Sequence, residues 1–166
     1  MKPVLFILSL ASLIACSTQP KPMTDTQLKA VIEEGQPVIK AYMDALKTFD
    51  VPELIALSDT ADSNFMMVVV GNVIRTKDIT GTVGSLSGQS FVTKEEKYLV
   101  LSPAEFIYYW HGANDVYLKT GDTIKVPEYF SSWFFHKVNG EWKILYGHES
   151  QPLPTSALAA ADSTAK

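Results

Sequence analysis

The chain has 166 residues, a formal net charge of −4 and one cysteine. That length suits a single domain with a real core. The mildly acidic balance, with no basic cluster, argues against nucleic acid or an anionic lipid surface as the partner of the folded part, and one cysteine leaves no internal disulfide.

The first residues read as a secretory signal. Lys2 supplies a positive start, and Val4 to Ile14 form an apolar run broken only by Ser9 and Ser12. The run has the length of a signal core and is too short for a stable membrane span. It ends in Leu13-Ile14-Ala15-Cys16, which resembles the lipobox of bacterial lipoproteins. The resemblance implies cleavage before Cys16, lipid on its thiol, and a chain anchored in the bacterial cell envelope. Ser17 in place of Asp favours the outer membrane, facing the periplasm, in a Gram-negative cell. Residues 1–15 are then the signal peptide. Residues 16–23, with two prolines and little apolar matter, form a flexible tether.

Helical signals follow. Thr24 with Gln27 three residues later has the form of a capping box. Apolar residues then recur at Leu28, Val31, Ile32, Val38, Ile39, Tyr42, Met43, Leu46 and Phe49, one buried stripe at helical spacing. Gly35 and Pro37 interrupt the stripe, and an interior proline costs about 3 kcal/mol, so a kink or restart is expected there. Pro52 opens a second short helix to Ser58.

Strand signals take over at Phe65 to Val70 and, after a Gly71-Asn72 turn, Val73 to Arg75. Thr76-Lys77-Asp78 has the form of a cap for a third short helix that ends in a mobile loop from Gly81 to Gly88. Three longer strands are predicted at Phe91–Leu101, Ala104–Leu118 and Ile124–Val138, and a last one from Glu141 to about Glu149. Asn139-Gly140 is the strongest turn signal, because a type I′ turn needs positive φ at both central positions. Helices followed by a meander of long antiparallel strands give an α+β domain over residues 24–152. Residues 153–166, rich in Ala, Ser and Thr, read as a disordered tail.

At the last hairpin, Trp133-Phe134-Phe135-His136-Lys137-Val138-Asn139-Gly140-Glu141-Trp142-Lys143-Ile144, closing in His148-Glu149-Ser150, resembles the end of nuclear transport factor 2-like domains. It is most similar to the SnoaL-like and calcium/calmodulin-kinase association-domain-like branches. Asp50-Val51-Pro52-Glu53-Leu54 at the second helix agrees with that. The resemblance implies a cone-shaped fold, with the N-terminal helices packed in the concave face of a strongly bent antiparallel sheet, and an open cavity.

Strict alternation from the Asn139-Gly140 turn puts Ser131, Trp133 and Phe135 on one face with Trp142, Ile144, Tyr146 and His148. Pairing across Thr120-Gly121 adds Phe106, Tyr108 and Trp110. This more apolar face is expected to be concave, so the candidate ligand pocket is Tyr42, Tyr108, Trp110, Trp133, Tyr146 and His148. The opposite face carries Phe130, Phe134 and Leu145, a candidate homodimer surface, together with Glu149. Aromatics on a concave sheet are also ordinary core, and His148 could be a satisfied core histidine.

The resemblance also implies where an enzyme would keep its base, an Asp near the end of the first strand. Val69-Val70-Gly71 stands there instead. The three histidines lack metal-motif spacing, and no phosphate loop or nucleophile elbow is present, so neither metal nor cofactor is expected. Two readings remain open. One is an envelope lipoprotein that binds a small apolar or aromatic ligand or serves as a dimeric scaffold. The other is a small-molecule isomerase, dehydratase or cyclase using His148 for proton transfer.

Overall fold

The computed structural model describes residues 22–69, 72–75 and 84–151. The signal peptide, Cys16, most of the tether, the third short helix expected from Thr76, and the tail lie outside the described residues.

Helix α1 runs from Asp25 to Thr48. Its capping box is present: Gln27 N donates to Thr24 Oγ1 at 3.3 Å, and Thr24 N donates to Gln27 Oε1 at 2.9 Å. It ends at Phe49, whose left-handed backbone (φ 51°) turns the chain out of the helix. The expected interruption at Gly35 and Pro37 does not occur, and the helix is continuous through both. Gly35 explains part of this, since a Cβ there would sit 2.7 Å from the Phe106 ring. The helix therefore lies close on the sheet at that point. Burial of Val31, Ile39, Tyr42 and Ala45 on the same stripe offsets the hydrogen bond lost at Pro37. Helix α2 is short, Val51–Ala56, capped by Asp50, which accepts from Glu53 N at 3.2 Å. It stops before Ser58, which instead makes a parallel bridge to Ile144.

Among the described residues six strands form one sheet: β1 Met66–Val69, β2 Asn72–Ile74, β3 Leu86–Ser102, β4 Glu105–Leu118, β5 Thr123–Val138 and β6 Glu141–Ser150, in the order β2-β1-β6-β5-β4-β3. Strands β3 to β6 are the expected antiparallel meander. β1 departs from it by pairing in parallel with β6, Met66 opposite Tyr146, so the sheet is mixed rather than wholly antiparallel. The chain leaves α2 already alongside β6 and runs in the same direction. Leu86 to Gly88, expected in a loop, belong to β3.

The Asn139-Gly140 turn has positive φ at both residues, 53° and 88°, and sets Val138 opposite Glu141. From it, alternation holds for the first part of the hairpin. Phe106, Phe135, Trp142 and Ile144 pack on the concave side, with Phe106 stacked on Phe135 at 4.7 Å and edge-on to Trp142 at 4.8 Å. Two irregularities then change the register. Phe135 pairs with Ile144 but Phe134 with Tyr146, so Leu145 is an extra residue in β6. Gly112 pairs with Tyr129 but Asn114 with Val126, so β5 carries an extra residue at Pro127-Glu128. A β-bulge of this kind reverses which residues face the core beyond it.

Candidate functional site

Beyond the two bulges the concave face is not filled. A cavity of about 270 Å³ opens there, bounded by Tyr42, Leu46 and Phe49 of the C-terminal half of α1. Met67 and Ile74 wall it on the β1–β2 side, and Val116 of β4 and Val126 of β5 on the other. Nearly all of this lining is apolar.

The exception at the base is Glu149. The Leu145 bulge turns Gly147 and Glu149 inward, opposite Trp133 and Ser131. Gly147 is needed at its position, because a Cβ would meet Met67 at 2.4 Å and the Trp133 ring at 2.7 Å. Glu149 is 9% exposed. Its Oε2 accepts from the Tyr129 hydroxyl at 2.5 Å. The Trp133 indole N–H is close enough to favour the carboxylate but makes no hydrogen bond of good geometry. Burial pushes the Glu149 carboxyl above its ordinary value, against the pull of those two donors. Burial also raises both neighbouring phenols, Tyr42 and Tyr129, and the Glu149 charge raises them further.

The second polar group is an amide pair. Asn114, 2% exposed, donates through Nδ2 to Gln89 Oε1 at 3.1 Å, and its Oδ1 has no protein partner. Both residues line the cavity. Among the described residues no lining side chain is basic. No group of three or more His, Cys, Asp or Glu among them is placed to hold a metal.

Of the six expected pocket residues, Tyr42 alone lines the cavity. Trp133 and Tyr108 lie on the concave side but fill the core beneath it. Trp133 stacks on Tyr108 at 5.8 Å and meets Tyr42 edge-on at 5.4 Å. The Tyr108 hydroxyl donates to Glu96 at 2.8 Å, and Trp110 donates to Thr93 Oγ1 at 2.9 Å. Tyr146 and His148 must be corrected outright. The Leu145 bulge sends both to the convex face, where His148 is exposed. A proton-transfer role for His148 in the cavity has no geometric basis.

Glu149, placed on the convex face by simple alternation, is the inward carboxyl. Phe130 and Phe134 do lie on the convex face, both half-buried, with Phe130 stacked on His111 at 4.4 Å. Leu145, at the bulge, packs instead against the core cluster. The signal that could have located the bulge is Gly147, because a glycine inside a strand marks a bulge or a close approach.

No protein-family profile matches the sequence, and no curated protein matches it. Solved structures do. An NTF2-like superfamily protein from Salmonella enterica is 16% identical, with a TM-score of 0.66, over 77% of this chain and 95% of that one. A proposed dehydratase of the NTF2-like family from Streptomyces avermitilis is 14% identical, with a TM-score of 0.63, over 76% and 99%. The association domain of Caenorhabditis elegans CaMKII is 15% identical, with a TM-score of 0.60, over 77% and 100%. At these identities the likeness concerns the fold. The two helices on a six-stranded curved sheet, filled at one end and open at the other, are the nuclear transport factor 2-like fold.

Proposed function

We propose that this domain binds a small, largely apolar molecule in the cavity above Trp133, and that it does so in the bacterial envelope, held by lipid on Cys16. The observation that carries the reading is the buried Glu149 in a mostly apolar cavity. An apolar void alone is a packing defect. One that keeps a desolvated carboxyl and an unpartnered amide oxygen is a site with specific demands on an occupant. Its volume, about 270 Å³, is near the lower end of the range of roughly 300–1,000 Å³ usual for ligand pockets, so the ligand is small.

Native mass spectrometry of the full-length protein, purified from its own host, tests this. A co-purifying small molecule lost on Val126→Trp, which fills the cavity, is the expected result. Wild-type protein that is always empty, with a melting temperature that Val126→Trp raises, would overturn the reading.

A homodimer through the convex face belongs to the same proposal. Leu99, Ile107, Phe134 and Tyr146 are paired in one row across β3, β4, β5 and β6. Leu99 is 58% exposed. A row of apolar side chains on the solvent side of four strands suits a two-fold contact. Sedimentation of the wild type as a dimer, and of Phe134→Glu as a monomer, is expected; a wild-type monomer at all concentrations would remove this part.

A further inference from the structure

We infer that the ligand of this cavity is an organic cation: a small apolar amine whose ammonium group pairs with Glu149. This rests on the reading of the cavity as a ligand site and names the chemistry that the site selects.

The inference starts from charge. Among the described lining residues Glu149 is the only carboxyl, and none is basic. Among the described residues the groups that face it are uncharged: α1 presents the phenol of Tyr42 and β5 the phenol of Tyr129 and the indole of Trp133. A carboxyl taken out of water without a cation is costly to the fold, and most such positions are apolar or paired. Here two donors approach it instead. The Tyr129 bond to Oε2 and the nearby Trp133 N–H both favour the ionised form. The fold thus sets two donors against the burial that favours the neutral acid, and among the described residues it supplies no counter-charge. A ligand that brings the counter-charge recovers that cost as affinity.

The rest of the lining agrees. Tyr42, Phe49, Phe65 and Tyr129 put four aromatic rings around the cavity, and aromatic faces attract a cation. The free Asn114 oxygen is an acceptor waiting for a donor, and an ammonium group brings up to three N–H bonds. Asn114 and Gln89 could turn their amides over together and present a donor instead. The selection for positive charge therefore lies with Glu149, and the amide pair adjusts the fit. An anion would be repelled by an ionised Glu149, and a neutral molecule brings it no counter-charge.

The experiment uses three probes of one shape on the full-length protein at pH 7: 2-phenylethylamine, 2-phenylethanol and 3-phenylpropanoate. Binding is read by calorimetry and by tryptophan fluorescence. Close charge pairs in buried sites are worth enough that the amine should bind at least about tenfold more tightly than the alcohol, with the carboxylate weakest. Glu149→Gln should bring amine and alcohol to near equality.

Amine and alcohol bound equally well by the wild type, or the carboxylate bound best, would overturn the cation and leave the ligand site standing. No binding by any probe, with a cavity that is always empty in native mass spectra, would overturn both. The amine–alcohol comparison is made on the unaltered protein, so it decides the matter even where Glu149→Gln fails to fold. Glu149→Asp, which keeps the charge, should then keep the preference.

Discussion

The two ends of the cone are built by the same helix and the same four long strands, yet one is solid and the other hollow. At the closed end Phe106, Phe135 and Ile144 are fully buried, and the rings of Phe106 and Phe135 stack. At the open end aliphatic and aromatic side chains line the walls, with Glu149 and Asn114 among them, and a cavity remains. The boundary between the two is formed by bulges. Up to Leu145 and Pro127-Glu128 the sheet alternates from its turns; past them it is out of phase. Stability is concentrated on one side of that boundary and binding capacity on the other, which gives substitutions at the two ends different consequences.

The largest contrast should come from core truncation. Phe135→Ala at the closed end removes a ring with no room to collapse and should cost about 3–5 kcal/mol. Val126→Ala beside the existing cavity should cost roughly 1–2 kcal/mol, because its lining already lacks full packing on one side. Urea denaturation of both variants measures this. Equal costs would erase the distinction between the ends.

The next effect is a stabilisation. Burial raises the Glu149 carboxyl above its unfolded value. In the window above the unfolded value the native state holds a proton that the unfolded state has released. Stability therefore falls as pH rises through that window, and the loss is complete above the folded value. Glu149→Gln removes this term and should stabilise the protein by roughly 1–3 kcal/mol at pH 8, with a smaller gain at pH 4. Thermal melts at the two pH values read it. A destabilised variant at pH 8 would mean that the carboxylate is well satisfied without a ligand.

A smaller loss is expected at the turn. Gly140 has φ 88°, and Ala there should cost about 1 kcal/mol with ligand binding unchanged, since the hairpin anchors the closed end. The smallest effect belongs to His148, exposed on the convex side. His148→Ala should change stability by less than about 0.5 kcal/mol and leave binding untouched.

These contrasts follow how much of the molecule was legible in the sequence. The closed end was, because a period of two counted from Asn139-Gly140 is correct as far as Ile144. The capping box at Thr24 and the limits of β4, β5 and β6, to within about a residue, were readable for the same reason, since each depends on residues near in sequence; the start of β3 at Leu86 was not. The cavity was not. Its acid lies past an extra residue that shifts that count, and Gly147 is the one local signal of the bulge at Leu145. A restart of helix α1 at Pro37 was expected and does not occur for a related reason: the packing of Gly35 on Phe106 is a contact between residues distant in sequence. The parallel β1–β6 pairing was hidden too, because parallel neighbours leave no turn signal between them.

The central claim is that Glu149 faces inward. The most direct measurement is a pH titration of the Glu149 side-chain carboxyl carbon by NMR, assigned by comparison with Glu149→Gln. An inward carboxyl titrates above its ordinary 4.5 and moves when an amine is added. A resonance that titrates at or below 4.5 and ignores the amine would put Glu149 in water on the convex face and contradict the account.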